Sequence, residues 1–183
     1  MTETTQPSKN TRRAPRWPAV VVAWYIGVFC LVAGSAVAWS IGSGASSAGE
    51  NGTVLLAIGL RLVTVGMALA SVLAFGRRVP AWALLAGLWG AAAVQIVYPV
   101  AETVFKALIL AGVVDPIDKG ISNMSAEGWF NFASVWVIWG IPGILFALAA
   151  VSYRRRVTVR DRWVVLGVLG GAAFLFALGA LIG

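Results

Sequence analysis

One arginine lies inside an apolar segment that is long enough to cross a lipid bilayer. Arg61 stands within residues 53–75, where every other side chain is uncharged. Insertion of a charged side chain at the centre of a membrane helix costs at least about 2.5–3.5 kcal/mol. A partner charge, a water-filled cavity or a ligand must therefore stabilise Arg61. Of all the residues in this sequence, Arg61 is the strongest indicator of a functional site.

The third apolar segment of the chain carries further polar residues at helical spacing. Gln95, Glu102 and Lys106 are separated by seven and four positions, which places them within about 40° on one face of a helix. Tyr98 lies beside this face. Glu102 and Lys106 stand in the order that favours an intrahelical ion pair.

The sequence leaves two interpretations of these charges open. In the first, Arg61, Glu102 and Lys106 line a polar pocket that favours an anionic ligand, such as a lipid headgroup or a small organic acid. In the second, Arg61 and Glu102 form a structural salt bridge between two spans, and Lys106 extends to the outer membrane surface.

The fourth apolar segment presents aromatic residues on one predicted helix face. These residues are Trp129, Phe132, Trp136 and Trp139. They could form a wall for a hydrophobic or cationic ligand, or a packing and lipid-contact surface. Pro142, with Gly140 and Gly143 beside it, predicts a bend in the same helix.

The composition indicates the class of fold that positions these residues. The chain is 60% hydrophobic and only 11% charged, with a mean hydropathy of +0.87. These values predict an all-α, polytopic membrane bundle, because each span needs about 20 apolar residues. Residues 1–16 are predicted to be a disordered, basic cytoplasmic tail, and residues 17–183 a single transmembrane domain. The predicted spans are about 17–41, 53–75, 81–113, 129–151 and 163–182.

The basic residues predict the orientation of the bundle. With the N-terminus inside and the C-terminus outside, eleven of the fourteen lysines and arginines lie on the inner side, and only Lys119 lies outside. This distribution satisfies the positive-inside rule. The Ala-, Gly- and Arg-rich composition is typical of a GC-rich bacterial genome, so a bacterial plasma membrane is expected. As an alternative, Ala36-Val37-Ala38 matches a signal-peptide cleavage site.

Several functional classes are disfavoured by the residues present. The net charge of +7 arises from segments that flank apolar runs, so nucleic acid is not expected as a partner. The chain has no histidine and a single cysteine, Cys30, which predicts neither a metal site nor a disulfide. No cofactor or catalytic motif is indicated.

Part of the chain resembles a known family. The matching positions are Gly76-Arg77-Arg78-Val79-Pro80, Tyr98, Ala111-Gly112-Val113, Trp136, Trp139-Gly140 and Tyr153-Arg154-Arg155. Residues 76–156 are in this way similar to a family of small actinobacterial multi-span membrane proteins catalogued as a domain of unknown function. The resemblance implies a membrane fold and no particular activity.

Three functions are predicted, in order of preference. The first is a non-enzymatic membrane protein that binds or assembles with lipids, with copies of itself or with another membrane protein. The second is a small transporter or channel-like protein whose polar site is Arg61, Glu102 and Lys106. The third is a membrane-embedded enzyme that modifies lipids.

Overall fold

The protein is all-helical. The computed structural model describes residues 14–116 and 119–182, is 79% helix and contains no strand in those ranges. Five helices are long and apolar enough to span a membrane, which confirms the predicted class of helical membrane bundle. Most of the predicted tail, residues 1–13, lies outside the described residues, as do residues 117–118.

The described residues form six α-helices, two of which belong to one continuous span. They are α1 (Trp17–Gly42), α2 (Gly52–Ala70), α3 (Ala81–Leu110), α4 (Ala126–Val135), α5 (Ile141–Arg154) and α6 (Arg162–Ile182). A π-helical turn, Trp136–Gly140, joins α4 to α5, so that together they form the fourth span of 29 residues. The π turn lies directly before Pro142, at the position where the sequence predicts a bend. Short 3₁₀ turns occur at Ala74–Arg78 and Gly120–Ser122.

Helix α2 ends at Ala70, earlier than the predicted end at residue 75. The hydroxyl of Ser71 donates to the carbonyl of Ala68 at 2.7 Å and competes with helix continuation. The chain then folds back until Gly76 lies against Ala70, where an added Cβ would overlap the Ala70 carbonyl oxygen. A close approach of this kind requires glycine, and the turn was not predictable from hydrophobicity alone.

Helix α3 is the longest and most central element. Its 30 residues extend for about 45 Å at 1.5 Å per residue, which exceeds the roughly 30 Å hydrocarbon core of a bilayer. The helix continues through Pro99. It stops at Leu110, before the predicted residue 113, because Gly112 adopts a φ of 71° that is typical of a helix C-terminal cap.

Glycines allow α6 to pack closely on α3. A Cβ on Gly171 would lie 2.5 Å from the carbonyl oxygen of Gly90, and one on Gly167 would overlap the carbonyl of Ala86. Backbone contact of this kind is the usual means of helix association in membranes. Helix α3 also packs against α5 and α2, and α1 packs against α2 and α5. The most deeply buried core side chains include Val22, Ile26, Leu85, Leu88 and Phe146.

One end of the bundle, here named the basic end, carries most of the arginines. The hydroxyl of Ser152 donates to the Pro15 carbonyl, and Arg156 donates to the Ser71 carbonyl at 3.1 Å. These contacts bring the start of α1 together with the ends of α2 and α5. The starts of α3 and α6 are joined by stacked Trp82 and Trp163 rings, whose centroids are 4.4 Å apart.

Candidate functional site

Arg61 lies in the middle of α2 and is 8% exposed. Its guanidinium carbon lies 4.5 Å from the ring centroid of Phe29 and 4.3 Å from that of Trp139. Its Nη2 donates to the carbonyl of Ile138 at 3.4 Å. Two aromatic faces and one backbone carbonyl therefore stabilise the charge through cation–π and hydrogen-bonding interactions.

The carbonyl that Arg61 contacts lacks its usual α-helical donor because of the local sequence. In a regular α-helix, the carbonyl of Ile138 would accept from the N–H of the residue four positions later. That residue is Pro142, which has no N–H. The proline thus removes the i+4 donor for this carbonyl, and Arg61 donates to it from another span.

The neighbouring carbonyl is satisfied in a similar way. The N–H of Ile141 bonds to the Trp136 carbonyl in the π pattern, and the carbonyl of Val137 accepts from the hydroxyl of Tyr25 at 2.8 Å. Helices α1 and α2 therefore each supply one side chain to the π turn. Such turns occur frequently at functional sites.

The expected ion pair between Arg61 and Glu102 is not formed. In the part of the chain that the structure describes, no carboxylate forms an ion pair with Arg61. Gln95 is the polar α3 residue that lines a cavity together with Arg61. Glu102 lies seven residues further along α3, or about 10 Å at 1.5 Å per residue, which separates it from Arg61.

Glu102 and Lys106 instead form a site of their own. Lys106 Nζ lies 3.8 Å from Glu102 Oε1, which confirms the predicted intrahelical pairing. Lys106 also donates to the carbonyl of Asn123 at 2.6 Å. Lys106 is 2% exposed, so the prediction that it extends to the membrane surface is wrong; the Asn123 carbonyl holds its ammonium group inside. Glu102 Oε2 is buried and has no hydrogen-bond partner among the described residues.

The predicted aromatic face contacts groups of the protein itself. The rings of Trp129 and Phe132 have centroids 5.2 Å and 5.8 Å from Lys106 Nζ. The indole N–H of Trp136 donates to the Thr103 hydroxyl at 3.0 Å. Trp139 stacks on Arg61. Three of the four residues thus contact a cation and the fourth forms a hydrogen bond. They do not form a single continuous wall.

A cavity of about 380 Å³, here named the groove, lies between α2, α3 and α6. Its volume is within the range of about 300–1,000 Å³ that is usual for ligand pockets. Arg61 and Gln95 line it, and Gln95, which is 4% exposed, has a buried Oε1 without a hydrogen-bond partner. Apolar side chains dominate the rest of its lining, among them Leu56, Leu60, Val94, Phe174 and Leu178.

The five residues of the predicted polar cluster thus separate into three positions. Arg61 and Gln95 face the groove, whereas Glu102 and Lys106 pair elsewhere on α3. Tyr98 is 46% exposed and does not line the groove. The arrangement can bind an acceptor or an anion at Arg61 and a hydrogen-bonding group at Gln95.

Sequence reasoning missed the residues that surround Arg61. Tyr25 and Phe29 of α1 and the carbonyls of the π turn were not expected there. Pro142 was a usable signal, because a proline inside a span leaves an acceptor that some other group must satisfy. Which side chain does so depends on helix packing.

The fold and the site define a five-span helical bundle compatible with an integral membrane protein. Comparison of the chain with protein-family models, curated proteins and solved structures gives no match. The resemblance of residues 76–156 to a small actinobacterial family therefore stays a prediction. Among the described residues, no cluster of three or more His, Cys, Asp or Glu side chains could hold a metal ion.

Proposed function

We propose that this protein is a non-enzymatic, multi-pass membrane protein that binds a single-chain amphiphile with a carboxyl group in the groove. One observation carries the proposal: two buried polar groups that lack full partners line the same apolar cavity. Arg61 has no acidic partner in the described structure, and Gln95 Oε1 has no hydrogen-bond partner.

The chemistry of the groove favours a carboxyl group on a long apolar chain. A carboxylate complements the charge of Arg61 and forms short, charge-assisted hydrogen bonds with a guanidinium. The Gln95 amide can donate to a carboxylate or accept from a protonated carboxyl group. Along α2 the lining extends from Thr53 to Met67, and Arg61 lies about 12 Å from the first and about 9 Å from the second at 1.5 Å per residue. Either length suits an acyl chain better than a small organic acid.

The position of the groove within the spans supports a ligand that arrives through the bilayer. We place the protein in a bacterial plasma membrane with its N-terminus inside, because of the distribution of basic residues. Lipid is then the partner class, and nucleic acid has no part in this function.

The other two predicted functions have less support. A transporter or channel built on Arg61, Glu102 and Lys106 would need these residues in one pocket, whereas Glu102 and Lys106 do not line the groove. A lipid-modifying enzyme would need a nucleophile with a base or acid. Among the described residues that line the groove there is no carboxylate, histidine or thiol.

The proposal is tested by labelling with a photoactivatable palmitic acid in phosphatidylcholine nanodiscs, with oleic acid as competitor. We expect crosslinks on groove residues of α2 and α6. Arg61→Met should weaken oleate competition about ten- to hundred-fold, because a hydrogen bond to a charged group contributes about 1.5–3 kcal/mol. Oleyl alcohol, which lacks the carboxyl group, should compete poorly with the wild-type protein.

Two similar substitutions on α2 provide a matched control. Leu56 lines the groove and Leu62 does not, yet the two are 47% and 51% exposed. Leu56→Trp should block labelling by filling the groove, and Leu62→Trp should leave it unchanged. Equal labelling of both variants, or equal competition by acid and alcohol, would contradict the proposal.

A further inference from the structure

A second cavity, here named the basic pocket, lies at the basic end and shares no lining residue with the groove. It has a volume of about 580 Å³ and is lined by Arg16, Arg77, Arg78 and Arg156. No carboxylate is among the described residues of its lining. Asp161, the acidic residue described at this end, pairs with Arg154. The positive charge of the basic pocket is therefore not neutralised by the residues that line it.

Arg156 is held in place at the centre of this arrangement. Its Nη1 donates to the carbonyl of Ser71 at 3.1 Å, and its Nε donates to the carbonyl of Ser152 at 3.3 Å. Its guanidinium also lies 5.5 Å from the ring centroid of Tyr153. These contacts fix one cation before any ligand arrives, which reduces the entropic cost of binding.

The turn after α2 brings two more arginines to the same pocket. Gly76 packs against the Ala70 carbonyl, and this close approach directs the 3₁₀ turn that carries Arg77 and Arg78 back towards the bundle. Both side chains are exposed and can adjust to a ligand. One anchored and two exposed guanidinium groups suit the several oxygens of a phosphate.

The like charges affect one another. Burial, and after it the positive charge of Arg16, lowers the pKa of Arg156. Both effects disfavour the charged form of Arg156 in the protein alone. A bound anion would offset the effect of Arg16, because its negative charge would reduce the repulsion between the two guanidinium groups.

The surroundings of the basic pocket distinguish a lipid from a free anion. Leu73 and Val79 also line it and are 49% and 37% exposed. Because it lies where the membrane spans end, a phosphate bound by the arginines would carry its glycerol and acyl groups against these apolar side chains. We propose that the basic pocket binds the phosphate head group of an anionic phospholipid in the leaflet at this end of the bundle.

To test this, the full chain in phosphatidylcholine nanodiscs is titrated with phosphatidylglycerol. Native mass spectrometry then counts the phosphatidylglycerol molecules that stay bound to the protein. Arg77→Gln with Arg78→Gln should raise the Kd for phosphatidylglycerol on the order of ten- to thirty-fold, given the contribution of each basic residue near an anionic surface. Raised salt should weaken the wild-type interaction, because exposed charges are screened.

The matched control removes the same charge elsewhere at the basic end. Arg155 and Arg160 are exposed and do not line the basic pocket, so Arg155→Gln with Arg160→Gln should change the Kd less than about three-fold, as expected for charges outside the site. Equal losses in the two double variants would overturn the proposal and indicate diffuse attraction. Inorganic phosphate that displaces the lipid at millimolar concentration would overturn it in favour of a small-anion site.

Discussion

Among the described residues, Arg61 and Lys106 are the two buried cations, and they differ in their acidic partners. Arg61 and Lys106 each have two aromatic neighbours and each donate to a backbone carbonyl. Lys106 also pairs with Glu102 at 3.8 Å, whereas Arg61 has no carboxylate partner in the described structure. Lys106 thus has its counter-ion within its own helix, and Arg61 borders an open groove.

The comparison shows that a buried charge does not by itself mark a binding site. Both cations are costly in a membrane, and both are stabilised by the protein. The distinguishing feature is the opposite charge, which is present beside Lys106 and absent beside Arg61. Of these two sites, the Arg61 site is therefore the one to which a negatively charged ligand is complementary.

The largest expected effect comes from removal of the acid at the Lys106 site. Glu102→Leu should lower the free energy of unfolding by about 3–5 kcal/mol, because it leaves a buried ammonium group without its counter-ion. SDS-driven unfolding in mixed micelles measures the change. Ligand binding in the groove should remain, since Glu102 does not line it.

A double variant separates loss of the pair from loss of packing. Glu102→Leu with Lys106→Met removes both charges, and should recover most of the lost stability, because replacement of a buried pair by apolar residues is often neutral. If the double variant is as unstable as the single variant, the ion pair is not the cause, and the two cations do not differ in the way described.

The difference between the two sites also explains what the sequence could predict. The Glu102–Lys106 pair was predictable because both residues belong to one helix, where a spacing of four brings side chains together. The partners of Arg61 lie on α1 and on the π turn, remote in sequence. Their positions follow from helix packing, for which a single sequence offers little signal.

The features of the fold also differ in how far the sequence could predict them. The five spans and their approximate bounds follow from hydrophobic length, and the start of α1 at Trp17 and the start of α3 at Ala81 agree with prediction. The early end of α2 depends on the approach of Gly76 to Ala70. The groove depends on the position of α6, which is separated from α2 and α3 in the chain by the fourth span. Neither feature has a local sequence pattern.

An intermediate effect is expected from the proline that makes a carbonyl available to Arg61. Pro142→Ala supplies an N–H that can bond to the Ile138 carbonyl. The hydrogen bond from Arg61 to that carbonyl should then contribute less to stability. We expect a coupling free energy of about 0.5–1.5 kcal/mol between Pro142→Ala and Arg61→Met, typical of one hydrogen bond. A double-mutant cycle measured by SDS unfolding provides the value. Strict additivity would mean that the carbonyl contact contributes nothing.

The smallest expected effect distinguishes the aromatic partners of the two cations. Phe29 and Phe132 are both half-buried, but their ring centroids lie 4.5 Å from Arg61 and 5.8 Å from Lys106. Phe29→Leu should therefore cost about 0.5–1 kcal/mol more unfolding free energy than Phe132→Leu, because Arg61 depends on cation–π contact without help from a carboxylate.

The background in which these variants are measured provides the control. In a protein that already carries Arg61→Met, Phe29→Leu should cost no more than Phe132→Leu, since the cation that it stabilises is gone. An excess cost of Phe29→Leu that persists in this background would assign the effect to packing. The aromatic rings would then support the helices at both sites alike, and only the missing carboxylate would still separate Arg61 from Lys106.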